Sequence, residues 1–202
     1  MQYRIITVGR EFGSGGREFG RRLAEELRME YYDREIIAEI ARHTSLSEEY
    51  VRQVVEQKPH RLYPITVGQS LAYQEAYPMR QLQAVYQAQS SIIHEMAAKS
   101  PCVIVGRCAD YILRDEKPFR IFVYADLDSR VRRCMERAAK NEKAMDERQM
   151  RKYIQRVDRD RARYYSEYTE QEWGDRNNYD LCVNTTGVVI QEIVSCVAKL
   201  FQ

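Results

Sequence analysis

The chain is poor in the features that mark several large classes of protein. It has no run of eighteen apolar residues, so no membrane-spanning helix is expected. Its five cysteines (Cys102, Cys108, Cys134, Cys182 and Cys196) are odd in number and dispersed, and none form a C-x-x-C pair. Reduced thiols are therefore the expectation, with Cys102 and Cys182, which sit in strand-like apolar runs, placed in the core. The three histidines, His43, His60 and His94, are scattered, so no metal cluster is expected. Net charge is only +2 although 31% of the residues are charged. That excludes a polybasic coat for a nucleic-acid polymer. No internal repeat or low-complexity segment occurs. The opening MQYRIITV enters a strand-like run directly, without the layout of a signal peptide, so a cytoplasmic location is expected.

What is present is concentrated at the start. Residues 3–24 read YRIITVGREFGSGGREFGRRLA. The apolar run Ile5-Ile6-Thr7-Val8 leads into Gly9, Gly13, Gly15 and Gly16, and an amphipathic pattern through Phe19, Leu23, Ala24 and Leu27 follows. A strand, a glycine loop and a helix start make the arrangement that cradles phosphate, because loop amides and the helix N-terminus face the anion. The competing account is a glycine-rich turn without a ligand. The usual phosphate-loop pattern is G-x-x-x-x-G-K-[ST]. With its second glycine on Gly15, Arg10 takes the first glycine position, Gly16 the lysine and Arg17 the hydroxyl. The lysine is absent, Arg17 is its nearest replacement, and Ser14 is a poor substitute for the magnesium-binding hydroxyl.

The 202 residues suit a single α/β domain with a small helical insertion. Strands are expected at about 4–8, 30–32, 102–105, 119–124 and 181–183. Helices are expected at about 16–27, after Asp33, from Ser45 or Ser47, and over 80–98, 129–140, 146–165 and 188–201. The stretch 57–78, with Pro59, Pro64 and Gly68, reads as a loop-rich excursion. Alternation of this kind predicts a parallel, doubly wound sheet with its ligand beyond the strands' carboxyl ends. Two further constellations meet that expectation. Gly106-Arg107-Cys108-Ala109-Asp110 follows the Cys102–Val105 strand, with Arg107 suited to a phosphate or base edge and Asp110 to a polar group or to Arg107 itself. In 151–165, Arg156, Asp160 and Arg163 share one helical face; the competing account is a solvated, ion-paired helix.

These residues carry a resemblance. The opening GREFGSGGREFGRRLA, YYDREII at 31–37, VIVGRCADYIL at 103–113, the Arg156/Asp160/Arg163 spacing and YDLCVNTTGVVIQEIV at 179–194 together resemble the cytidylate kinase-like family of P-loop nucleoside monophosphate kinases. The resemblance implies an α/β, three-layer, P-loop NTPase-type parallel sheet. It implies a core (about 1–40 and 100–202), a helical monophosphate-binding insertion (about 41–99) and a lid (about 141–170). ATP would be the donor, with Mg2+, and a nucleoside monophosphate, CMP or dCMP first, the acceptor. No nucleic-acid polymer or membrane would be a partner, and the protein would be a monomer or homodimer.

By the same resemblance, Gly13, Ser14, Gly15, Gly16 and Arg17 would hold the donor phosphates. Arg107 would contact the acceptor, with Asp33, Asp110 and Arg80 on the acceptor side. Arg156 and Arg163 would bridge both nucleotides' phosphates, and Asp160 would orient the acceptor sugar or an arginine. The chain departs from the family pattern at Gly16, at Cys108, where aspartate reads cytosine in close relatives, and at Arg34, where serine is expected. Arg34 adds charge on the acceptor side. The competing functional expectation is a nucleotide-binding or sensing module that kept the fold and lost turnover.

Overall fold

A computed structural model describes residues 3–56, 76–138 and 145–202; the side chains of residue 56 and of 76–81 lie outside that description. The expected excursion at 57–78 and the beginning of the expected lid thus fall largely outside the described residues. Among the described residues five strands are formed: β1 (Ile5–Arg10), β2 (Glu30–Tyr32), β3 (Cys102–Val105), β4 (Phe119–Tyr124) and β5 (Leu181–Asn184). All pair in parallel, in the order β2-β3-β1-β4-β5. The helices are α1 (Gly16–Leu27), α2 (Glu35–Thr44), α3 (Glu48–Glu56), α4 (Ala76–Lys99), α5 (Ala109–Ile112), α6 (Leu127–Ala138), α7 (Glu147–Thr169) and α8 (Ile190–Ala198).

The two-residue period of the strands builds three layers. Ile6 and Val8 of β1, Val103 and Val105 of β3, and Ile121 and Val123 of β4 point to one face. There they meet Phe19, Leu23 and Leu27 of α1 and Val194 and Val197 of α8. Ile5, Cys102 and Ile104 point to the other face, against Ile36 and Ile40 of α2, Val51 and Val55 of α3, Ile93 of α4 and Tyr164 of α7. Central strands covered on both sides need apolar residues at every position, which is why Cys102–Val105 reads as an unbroken apolar run. A smaller cluster of Val131, Met150 and Ile154 joins α6 to α7 beside the glycine loop.

Helix starts follow local chemistry. The Ser47 hydroxyl accepts the amide of Tyr50, deciding between the two serine caps. Asp146 and Gln149 form a reciprocal capping box at the head of α7. One expectation is corrected: Cys182 is exposed, not core. β5 is an edge strand, and of its residues only Val183 is buried.

The strand order places a switch point between β1 and β3. The chain leaves β1 toward β2 on one side and leaves β3 toward β4 on the other, so the loops after Arg10 and Val105 diverge around a crevice. Phe19 is fully buried beneath that crevice. Phe19→Ala is expected to cost about 3–5 kcal/mol of unfolding free energy, measured by urea denaturation.

Candidate functional site

The glycine loop turns on Gly13 and Gly15, which have φ of 79° and 84°, a region that glycine enters without steric cost. Space forbids a side chain there as well: a Cβ on Gly13 would lie 2.9 Å from Cys134 Sγ, and one on Gly15 would lie 2.7 Å from Ile190 Cδ1. Ser14 is fully buried between them. Its hydroxyl donates to the Glu11 carbonyl (2.9 Å) and accepts the Gly16 amide (3.3 Å). Its carbonyl accepts from Thr185 Oγ1 (2.6 Å) and Arg133 Nη1 (3.2 Å). Arg133 also donates to the Thr185 carbonyl, so one guanidinium pins the loop to the segment after β5.

Arg17 is not placed where the lysine-replacement expectation put it. Its Nε pairs with Asp33 Oδ2 at 2.6 Å, and its side chain is 44% exposed while that of Asp33 is 3% exposed. The second position of α1 looks toward the end of β2, so Arg17 is held beside the segment that follows that strand. A wider groove of about 360 Å³ opens there, lined by Arg17, Tyr31, Asp33, Arg34 and Arg137 among others.

The guanidinium at the switch point is that of Arg10, a residue the motif alignment leaves without a role. Arg10 is 8% exposed. A Cβ on Gly106 would overlap its Nη1, so the side chain reaches across from the end of β1 to the end of β3. Burial, followed by the charges of Arg161 and Arg107, pushes its pKa down, with Asp33 acting the other way. Arg107 is buried, with φ of 61°, and its carbonyl accepts from Gln89 Nε2 at 3.0 Å. Cys108 follows at φ 53°, also buried, with its thiol pKa raised chiefly by burial. Left-handed non-glycine residues in succession mark a loop held by its surroundings at a local cost. Asp110 is buried and accepts from the Tyr165 hydroxyl at 2.6 Å; burial raises its pKa despite that hydrogen bond. Arg10, Arg107, Asp110 and Arg161 line one narrow pocket of about 40 Å³, closed on its far side by Tyr165 and Tyr179.

The expected stripe of Arg156, Asp160 and Arg163 lies on the solvent-facing side of α7. Arg156 and Arg163 are exposed, Asp160 is half-buried, and Arg156 stacks over Tyr153 at 5.3 Å. The inward stripe is Ile154, Asp158, Arg161 and Tyr165, which recurs at four, three and four residues. Arg161 Nη1 donates to the Arg10 carbonyl at 3.2 Å. Asp158 accepts the Phe12 amide at 2.8 Å and pairs with Arg130, whose Nε lies 3.5 Å from Glu11 Oε2. Burial raises the Glu11 pKa. The clue available in sequence was the apolar phase: Ile154 and Tyr165 bracket Asp158 and Arg161 on one face. Arg80 lies on the first turns of α4, and its side chain is outside the described residues.

The buried guanidinium groups of Arg10 and Arg107 suit an anion such as phosphate, and among the described residues no protein cage for magnesium is formed. Among the described residues no group of three or more His, Cys, Asp or Glu side chains could hold a metal ion, and the Ser14 hydroxyl is used inside the loop. No helix among them is long and apolar enough to cross a membrane.

A parallel α/β sheet in this order, with a glycine loop after β1 and arginines around its switch point, defines the chain as a P-loop kinase-type domain. The chain belongs to the cytidylate kinase-like family, whose model it matches over residues 5–187. No curated protein matches it. Among solved structures it is similar to an uncharacterized protein from Eubacterium ventriosum. That chain is 27% identical with a TM-score of 0.67, and the match covers 97% of this chain and 96% of the other. The fold is also that of shikimate kinases. The one from Acinetobacter baumannii is 14% identical with a TM-score of 0.51, covering 98% and 91% of the two chains. The one from Bacteroides thetaiotaomicron is 14% identical with a TM-score of 0.52, covering 98% and 97%.

Arg130 lies between two largely buried carboxylates, whereas Arg120 and Asp180 pair with side chains 36% exposed. Arg130→Ala is therefore expected to destabilise by about 3–5 kcal/mol, because it strands Glu11 and Asp158. Arg120→Ala is expected to cost about 1 kcal/mol or less. Urea melts of both variants check the contrast.

Proposed function

We propose that the protein transfers the γ-phosphoryl group of ATP to a nucleoside monophosphate, with CMP and dCMP the first acceptors to test. The observation that carries this reading is a glycine loop packed against Arg10, whose side chain lines one pocket with Arg107 and Arg161 at the switch point of the sheet. Membership in a kinase-like family supports phosphotransfer in general. The acceptor rests on the resemblance, with α2–α4 as the acceptor-binding insertion and the region around α7 as the lid.

The chemistry asks for positioning and positive charge more than for a base, since a phosphate acceptor is already ionised. One oxygen of the acceptor phosphate forms a bond to Pγ. The bond from Pγ to the oxygen bridging the β- and γ-phosphates breaks, and that oxygen departs with its electron pair as part of ADP. Loop amides from Gly13 to Arg17 hold the donor's phosphates. Magnesium, when bound with those phosphates, supplies further positive charge. Arg107 holds the acceptor phosphate, and Asp33 keeps Arg17 on the acceptor side. Arg161, on the inner face of α7, meets the charge that spreads over the transferring group. Preorganised donors in a water-poor site act mainly on the transition state.

A coupled ADP-release assay across CMP, dCMP, UMP, AMP and GMP tests the reading, with stimulation by at least one expected. ATP binding without stimulation by any of them would favour the non-catalytic module instead. Arg161→Ala is expected to lower kcat about 10²–10³-fold, while Arg156→Ala and Arg163→Ala stay near wild type; steady-state kinetics decide between the two faces of α7. Arg107→Lys is expected to raise the acceptor's KM, since an ammonium does not reproduce a bidentate grip. An unchanged KM would remove Arg107 from acceptor binding.

A further inference from the structure

We infer that the cation of the phosphate loop has changed places in this chain: Arg10 supplies the charge that lysine supplies in the ordinary motif, and Gly16 is glycine because Arg10 occupies its space. This rests on the phosphotransfer reading for its biological meaning, but it is a statement about anion binding and is tested as one.

Positions 10 and 16 are the first glycine and the lysine of G-x-x-x-x-G-K. Here they hold Arg and Gly. The structure shows why the two identities are linked. A Cβ on Gly16 would overlap the Cβ of Arg10, closer than real Cβ atoms approach one another, and would lie 3.2 Å from Val123 Cβ. Both partners are fixed: Arg10 ends β1, and Gly16 opens α1. The two backbones thus leave room for one side chain between them. The ordinary motif hangs it on the helix, with glycine on the strand. This chain hangs it on the strand, with glycine on the helix.

The cation that results points to the same region. The Arg10 side chain leaves β1 beside Gly16, at the first turn of α1, and ends over Gly106, in the pocket that Arg107 and Arg161 also line. It is 8% exposed, and among the described residues no carboxylate lies within ion-pair distance of it. Burial without a counter-charge is costly unless an anion completes the site. A phosphoryl group would complete it, and a planar guanidinium grips two of its oxygens where an ammonium contacts it as a point charge. Arg17 is not available for the task while Asp33 holds it.

The test is calorimetric titration of the whole protein with inorganic tripolyphosphate and with ATP, alongside thermal melts. Arg10→Gln, which keeps length and polarity, is expected to weaken both ligands about tenfold to a hundredfold with little change in melting temperature. Gly16→Lys alone is expected to weaken binding and lower the melting temperature, because two side chains then compete for one space. Arg10→Gly together with Gly16→Lys restores the ordinary motif and is expected to bind within about tenfold of wild type, far from the sum of the single effects. Wild-type affinity in Arg10→Gln would overturn the inference. So would a folded double variant that binds no better than Arg10→Gly, or a wild-type protein that binds neither ligand. If the double variant does not fold, Arg10→Gln decides alone. Tripolyphosphate binding that depends on Arg10, without ADP release toward any acceptor, would uphold this inference while removing the kinase reading.

Discussion

The Arg10 guanidinium is buried at the carboxyl edge of the sheet, within electrostatic reach of Arg161, Arg107 and Arg17, and holding that charge away from water is the constraint around which the site is built. Asp33 offsets part of it, pairing with Arg17 and raising the pKa of Arg10 against the other charges. The remainder must be held by the fold. Buried strands on both sides of the switch point give Arg10 and Arg107 rigid origins, since apolar burial on two faces leaves β1 and β3 little freedom to splay.

α7 is the member that ties the loops together. Through Asp158 and Arg130 it reaches Glu11 and Phe12 in the loop after β1. Through Tyr165 it reaches Asp110, and through Tyr164 and Gln89 it reaches the carbonyl of Arg107 in the loop after β3. A shift of this helix would disturb the donor loop and the acceptor segment together. That gives a physical basis for coupling the two halves of a transfer site, and it explains why the interior face of α7 carries polar groups that a plain core helix would lack.

The family and the fold leave the acceptor open, because specificity in this architecture is written in single side chains. Cys108 is buried with its thiol pKa raised, so it offers a base no ionised group at neutral pH. Arg34 lines the open groove beside Arg17 and Arg137. That groove sets Arg17, Arg21, Arg34 and Arg137 against Glu18, Asp33 and Glu35.

Much of this was legible in the chain itself. Two-residue and 3.6-residue periodicities, the glycine cluster and the capping residues are local properties, set by backbone sterics and short-range hydrogen bonds, and they led to the strands, the glycine loop and the serine-capped start of α3. What lay beyond the sequence was anything that depends on two distant segments meeting. Arginines repeat on more than one face of α7, and packing of Ile154 and Tyr165 against the core is what turned Arg161 inward and left Arg156 and Arg163 in solvent. Arg17 was drawn to Asp33, and Cys182 was left uncovered on an edge strand. Above all, the meaning of Gly16 was decided by tertiary structure. A motif compares positions along a line, whereas the space that Arg10 takes from residue 16 exists only once strand and helix are folded against each other.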